Sequence, residues 1–226
     1  MYNYLIMTKR IFQITAALIL TSIFFIAALA QEETDPVLGF YVTQAKRAYE
    51  KSELLSKKMH YTFLASSHYK QIGRGGIVER LDTAITRYFM SGRQIDSTQV
   101  VVEPTSEMPA PTFAFPNIFA ESYIYNFFPN DVGEENIAIG FDTPGSEDTL
   151  PAGLAVIDRE EYKLRRLHLY YQNPDGFKRL TRSYLLKEQN GFIFADSILE
   201  LNAKHGVFST EYYRLDTDIR QLQLIR

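Results

Sequence analysis

The sequence predicts an α+β protein of mostly antiparallel β-structure: a strongly curved sheet or incomplete β-barrel, with an N-terminal helix and a short helical lid. Residues 153–215 are typical of consecutive strands separated by turns. Short turns imply antiparallel neighbours, because a parallel crossover needs a dozen or more residues. Further alternating runs over residues 60–102 are long enough to join the same large sheet.

Alternation of apolar and polar residues identifies the strands of the C-terminal half. In residues 164–171, Leu167, Leu169 and Tyr171 fall on one face, and the residues between them fall on the other. The Asn-Gly pair at 190–191 suits a primed hairpin turn. The region from residue 153 onwards is therefore predicted to be a meander.

An amphipathic helix is predicted over residues 35–58. Asp35 can cap the free amides and Pro36 is tolerated at the first helical position. Seven apolar side chains then recur at helical spacing: Leu38, Tyr41, Val42, Ala45, Ala48, Tyr49 and Leu55. We expect this stripe to lie on the sheet; binding to a membrane surface through the lysines is the alternative.

Residues 103–149 form an insert between the two sets of strands. Its four prolines before residue 117 exclude regular structure there. Phe119, Tyr123 and Phe127 follow at four-residue spacing, which predicts a short helix capped by Asn117. So many aromatic rings in a connecting segment indicate burial. They either fill the core under the sheet or form a lid over an apolar cavity.

Residues 1–30 are typical of a secretory signal peptide. Two basic residues precede a mostly apolar run, and Ala28-Leu29-Ala30 forms a small-residue cleavage site. We expect cleavage near Ala30 and export of residues 31–226 to the periplasm as a single domain. An uncleaved anchor is the alternative, since the run is about long enough to span a bilayer. Met7 is an alternative start to Met1.

Composition excludes several classes of function. The net charge of −3 provides no basic field for a nucleic-acid partner. The chain has no cysteine, which excludes disulfides, thiol catalysis and a lipidated N-terminal cysteine.

No pattern of residues predicts catalysis, a metal site or a cofactor. The four histidines are scattered and none belongs to an H-E-x-x-H motif. Residues 73–76 are too short for a dinucleotide fingerprint, and Ser146 lacks the second glycine of a nucleophile elbow. The protein is therefore predicted not to be an enzyme; a hydrolase using carboxylates and tyrosines is a remaining alternative.

The layout resembles the lipoprotein-carrier (LolA/LolB-like) superfamily of the bacterial periplasm. An exported chain without cysteine, a first amphipathic helix and long alternating strands precede a hairpin at 153–158 and 164–169 that looks like the one these proteins carry in mid-sheet. The resemblance implies an incompletely closed antiparallel barrel, with helices covering an apolar cavity for acyl chains. The absence of tryptophan and the Pro-rich insert depart from that pattern, and no site residue is carried over.

The predicted function is binding or carriage of a lipid or an acylated lipoprotein in the cavity of such a half-barrel. Membrane contact would be transient, and other envelope proteins are possible partners. The alternative is a structural or interaction module of the cell envelope with a self-filled core, whose exposed strand edges recruit a partner. The candidate cavity residues share apolar character and common faces: Phe63, Phe89, Phe119, Tyr123, Phe127, Leu167, Leu169 and Tyr171.

Overall fold

Strands dominate the computed structural model, which describes residues 35–73, 76–128, 132–143, 150–171, 179–205 and 210–225. The elements in chain order are α1 (Pro36–Ser56), β1 (His60–Ile72), β2 (Val78–Ser91), β3 (Gln94–Val102), β4 (Ile124–Phe127), β5 (Asn136–Asp142), β6 (Ala152–Asp158), β7 (Leu164–Tyr171), β8 (Arg179–Gln189), β9 (Phe192–His205) and β10 (Thr210–Ile225).

All ten of these strands belong to one sheet in the order β3-β2-β1-β10-β9-β8-β7-β6-β5-β4. Every neighbouring pair is antiparallel. The prediction of one large sheet with a C-terminal meander is confirmed. The sheet is open, because β3 and β4 lie at its two edges.

Pairing of β1 with β10 places the first and the last of these strands next to each other inside the sheet. Ser67 lies opposite Thr217, and their buried hydroxyls are 3.0 Å apart. Register shifts interrupt five of the nine strand pairs. Such bulges bend the strands and increase their twist, which is consistent with the predicted curvature.

Helix α1 packs on one face of the sheet through Leu38, Ala45 and Tyr49. A buried hydroxyl also fixes it in place: Ser52 Oγ accepts a hydrogen bond of 2.8 Å from the backbone N–H of Ile193. This bond satisfies a backbone donor at the β8–β9 hairpin. The observed bounds agree with the predicted helix to within two residues.

The β8–β9 hairpin has the predicted turn. Asn190 and Gly191 both have positive φ, 55° and 81°. A type I′ turn requires this conformation at both central positions. The Asn-Gly pair therefore sets the register in which β9 meets β8.

The predicted short helix over residues 117–128 is not formed. Residues 118–122 form turns, and Ile124–Phe127 is the edge strand β4. Asn117 caps a turn, its side-chain oxygen accepting a 3.0 Å hydrogen bond from the N–H of Phe119. Four-residue spacing over so short a stretch does not separate a helix from a turn followed by a strand.

Among the described residues, no helix is long and apolar enough to cross a membrane. The predicted signal peptide and Ser146 lie outside the described residues.

Candidate functional site

The two faces of the sheet are covered differently. One, the helix face, carries α1 and residues 113–123, which we call the aromatic segment. The other, the open face, carries the side chains that alternate with those of the core, among them Leu154, Arg166 and His168. Any site for a ligand must use a space on one of these faces.

The aromatic segment seals the helix face. Phe115, Ile118, Phe119 and Tyr123 are buried in one cluster with α1 and strands β5–β9. Phe119 contacts Tyr49 of the helix, with ring centroids 5.6 Å apart. This packing confirms that the aromatic rings are buried, as their number in the insert predicted.

Arg93, in the β2–β3 turn, links the helix to the aromatic segment. Its guanidinium forms an ion pair of 2.5 Å with Glu53 of α1. The same group lies 4.4 Å from the ring centroid of Phe115. A cation held between a carboxylate and an aromatic face stabilises both partners.

The remaining space on the helix face is small. A hollow of about 20 Å³ lies between Phe63, Phe113 and Ile219. A small-molecule site usually needs roughly 300–1,000 Å³. This hollow is too small for such a ligand, and the described side chains beneath the aromatic segment pack against one another.

Burial in this core raises the pKa of several tyrosines. Desolvation raises the pKa of Tyr49 to about 12 and that of Tyr61 to about 12. The pKa of Tyr184 is raised for the same reason. These hydroxyls remain protonated near neutral pH, and that of Tyr184 donates a hydrogen bond to the backbone carbonyl of Ala114.

The structure brings together some of the predicted cavity residues. Phe119, Tyr123, Leu167 and Leu169 lie in one buried cluster, and Tyr171 packs against it. They serve as core rather than as the wall of an empty cavity.

The other three predicted cavity residues lie elsewhere. Phe63 belongs to a second buried cluster, with β1 and β2 side chains. Phe89 lies on the open face, since it is paired with Thr62 and alternates with the buried Tyr88 and Met90. Phe127, on β4, is 40% exposed.

A groove of about 710 Å³ lies on the open face. Its volume is within the range of small-molecule sites. It crosses β6 to β10, and Val132 of the β4–β5 connection contributes to its lining. We call it the open-face groove.

Two rows of side chains, running across the strands, form its floor. One row contains Leu154, His168, Ser183, Leu199 and Asp216 on successive strands. The parallel row contains Val156, Arg166, Leu185, Ser197 and Asp218.

Apolar groups are prominent on this floor. Leu185 is 40% exposed, while Leu154 and Leu199 are half-buried. The solvated face of an antiparallel sheet usually carries polar side chains. Leucines on a groove floor are therefore a candidate contact surface for an apolar ligand.

The polar groups of the groove differ in their partners. His168 Nδ1 lies 2.6 Å from Ser183 Oγ. Asp216 accepts two hydrogen bonds from Arg214, of 2.7 and 2.9 Å. Arg166 forms no hydrogen bond or ion pair with any described residue, although it lies on the floor between Val156 and Leu185.

The His168–Ser183 pair lacks the other parts of a hydrolytic site. Within the described ranges no carboxylate hydrogen-bonds to His168. Ser183 lies inside β8, between β7 and β9, where backbone amides are committed to the ladders. An oxyanion hole needs free donors aimed at the reacting carbonyl.

Sequence reasoning did not identify the groove residues as a site. Leu154, Leu185 and Leu199 are separated by 14 residues or more in the chain. Only the strand order and register place them next to one another. The available signal was that these leucines occupy outward positions of β6, β8 and β9. Without the strand pairing, this signal does not identify a groove.

Comparisons with solved structures find proteins of similar fold. One is a LolA-superfamily protein from Nitrosomonas europaea, with 12% identity, a TM-score of 0.37 and coverage of 80% of this chain and 94% of that chain. Another is described as an outer membrane lipoprotein-sorting protein domain from Vibrio parahaemolyticus. It has 10% identity and a TM-score of 0.38, and the match covers 81% of this chain and 93% of that chain. The first of these two proteins carries the name of the superfamily that the layout of the sequence resembles.

A further similar structure is the MucA/MucB complex of Pseudomonas aeruginosa, with 7% identity, a TM-score of 0.23 and coverage of 79% of this chain and 98% of that chain. No protein-family model matches the chain, and no curated protein matches it. Identities of 7–12% with TM-scores of 0.23–0.38 carry neither a function nor a ligand to this chain.

Proposed function

We propose that this chain is an exported, non-catalytic binding protein of the periplasm that holds an apolar ligand, a lipid or the acyl chain of a lipidated protein. The observation that supports this proposal is the open-face groove of about 710 Å³ with leucines on its floor. The hollow found among the described residues of the helix face measures about 20 Å³. The ligand therefore lies on the face opposite to the one that the sequence suggested.

The driving force is removal of apolar surface from water. The binding free energy becomes more favourable by roughly 25 cal/mol for each Å² of apolar surface that a ligand covers. The surface available on the floor belongs to the exposed part of Leu185 and to the half-buried Leu154 and Leu199. No catalytic group is required for this, so the ligand is bound and released unchanged.

Extraction and dye binding test the proposal. The purified mature chain, residues 31–226, is extracted with organic solvent for mass spectrometry and titrated with the neutral apolar dye N-phenyl-1-naphthylamine. Lipid in the extract and saturable dye fluorescence are expected. Absence of both would contradict the proposal.

A matched pair of variants locates the binding. Leu185→Glu places a charge on the groove floor, whereas Leu81→Glu places it at a 70% exposed position on β2, outside the groove. Dye binding should be lost in the first variant and kept in the second, with both folded by circular dichroism. Equal binding by the two variants would place the ligand elsewhere.

A second candidate function, an interaction module, is favoured by the edge strand β3. All nine of its residues are exposed, including Ile95, Val100, Val101 and Val102. Exposed edges can receive a strand from a partner. Bulges at Asp96 and Val101 limit the regular part of the edge to residues 97–100.

In-cell photo-crosslinking tests this second function. A photoreactive amino acid at Gln99, on β3, should capture a discrete protein partner if β3 is a docking edge. The same amino acid at Leu81 is the control. Similar patterns from both positions would exclude recognition by β3.

A further inference from the structure

We infer that the open-face groove selects a single-chain anionic amphiphile, a long-chain fatty acid whose carboxylate pairs with Arg166. This inference rests on the proposed function, because it names the ligand class of the same groove. It draws on the unpartnered Arg166, its apolar neighbours and the shape of the floor.

Arg166 occupies an unusual position for a surface cation. Its partners across the two neighbouring strands are Val156 and Leu185, both apolar. It makes no ion pair or hydrogen bond to the part of the chain that the structure describes. A guanidinium beside apolar groups binds a carboxylate through paired, charge-assisted hydrogen bonds.

A polar pair lies next to this cation. His168 is two residues further along β7 and faces the same side, with its ring 2.6 Å from Ser183 Oγ. These groups can hydrogen-bond the second carboxylate oxygen. The head group would therefore meet Arg166 on one side and His168–Ser183 on the other.

Acidic groups in the groove are too distant to exclude an anion. Asp218 lies three strands from Arg166, which is about 14 Å at the usual strand spacing. Asp216, on the neighbouring row, is paired with Arg214. At physiological ionic strength the Debye length is about 8 Å, so repulsion of a carboxylate at Arg166 is largely screened.

The shape of the floor favours one acyl chain. The two rows extend from β6 to β10, about 19 Å across, and lie about 7 Å apart along the strands. A strip of this shape accommodates one extended chain rather than two side by side. Leu185 and Leu199, on the β8 to β10 side of Arg166, are the apolar contacts that it offers to a chain whose carboxylate lies at Arg166.

Fluorescence titration with cis-parinaric acid, an 18-carbon polyene fatty acid, tests the inference against its neutral methyl ester. Both are used below the concentration at which they aggregate, so that single molecules bind. The parent protein should bind the acid at least about fivefold more tightly than the ester, an effect of about 1 kcal/mol. Equal affinities would overturn the inference.

Arg166→Gln and Arg87→Gln form the matched pair of variants. Arg87 is on the same face, but five strands away on β2. Arg166→Gln should weaken acid binding at least about fivefold and leave ester binding unchanged, whereas Arg87→Gln should change neither. An equal effect of the two substitutions on the acid would overturn the assignment of Arg166.

The outcomes separate this inference from the proposed function. If the neutral dye and the ester bind but the acid has no advantage, the groove binds apolar ligands and the anionic inference fails. If none of the three binds, the proposed function fails and the inference fails with it.

Discussion

The hydroxyl of Tyr184, on β8, donates a hydrogen bond of 3.2 Å to the backbone carbonyl of Ala114 in the aromatic segment. Tyr184 is 2% exposed, and its ring packs 5.7 Å from that of Phe115. The contact joins the segment to the centre of the sheet. The helix face is thereby closed by the chain itself, which leaves the opposite face for a ligand.

Phe119→Ala should destabilise the protein far more than Phe127→Ala. Phe119 is 4% exposed, so its truncation leaves a cavity that costs about 3–5 kcal/mol. Phe127 is 40% exposed, and its loss should cost about 1–2 kcal/mol. Urea denaturation measures both. Similar losses of unfolding free energy in the two variants would mean that both rings have the same environment, as the predicted helix required.

This pair of residues shows where reasoning from sequence reached its limit. Phe119 and Phe127 are eight residues apart, which suits one face of a helix, but a strand starts between them at Ile124. The spacing of residues along the chain contains no information about the pairing of β4 with β5. That pairing makes residues 124–127 a strand. Burial of the ring of Phe119, by contrast, was predictable from the number of aromatic residues.

The alternation of apolar and polar residues, together with turn-forming residues, was sufficient to predict most of the strands. Leu167 and Leu169 were assigned to the buried face because successive side chains of a strand alternate. The β1–β10 pairing was not predictable in this way, since it joins residues such as Ser67 and Thr217 that are 150 positions apart. The groove lies on β6 to β10, whose order was predicted as a meander, but the register of each strand pair, which places Leu154, Leu185 and Leu199 near one another, was not predictable.

Ser52→Ala should cost about 1–3 kcal/mol, because it leaves the buried N–H of Ile193 without an acceptor. Ser56→Ala is the control. Ser56 is equally buried, but its hydroxyl bonds only to the carbonyl of Glu53 in its own helix, so about 0.5–1.5 kcal/mol is expected. Hydrogen exchange at Ile193 provides a second measurement. Unchanged protection in Ser52→Ala would contradict the role assigned to this bond.

Asp82→Asn should remove part of the acid sensitivity of the fold. Hydrogen bonds from the backbone N–H of Thr105, and from Ser106 and Thr83, hold the pKa of Asp82 well below its usual range. The ionised carboxylate therefore stabilises the fold above its unfolded-state pKa of about 3.9, and this contribution is lost as the pH falls from there towards the depressed value.

Urea midpoints at pH 7 and at decreasing pH below 4 check this prediction. Asp82→Asn should be less stable than the parent at pH 7, and the difference should narrow as the pH falls below 4. Asp96→Asn, at an exposed position on β3, is the control and should follow the parent throughout. A constant difference between Asp82→Asn and the parent would show that ionisation of Asp82 makes no contribution.

Gly153→Ala should destabilise the sheet by about 1–3 kcal/mol through overpacking. A Cβ at Gly153 would lie 2.0 Å from the backbone oxygen of His168, on the neighbouring strand β7. Gly73→Ala is the matched control, because its Cβ would meet only the flexible side chain of Glu79. Thermal unfolding measures the stability of the two variants. Equal stability of Gly153→Ala and Gly73→Ala would contradict the close approach of β6 and β7.

Intermolecular NOE measurements between bound stearic acid and the isotope-labelled protein test the central claim most directly, because an NOE arises only between protons in near contact and so distinguishes the two faces of the sheet. The account predicts NOEs from the acyl chain to the methyl groups of Leu185 and Leu199 on the open-face groove. No NOEs are expected to Leu38 and Ile118, which are buried on the helix face. NOEs to Leu38 and Ile118 without any to the groove leucines would contradict the account and place the ligand beneath the aromatic segment.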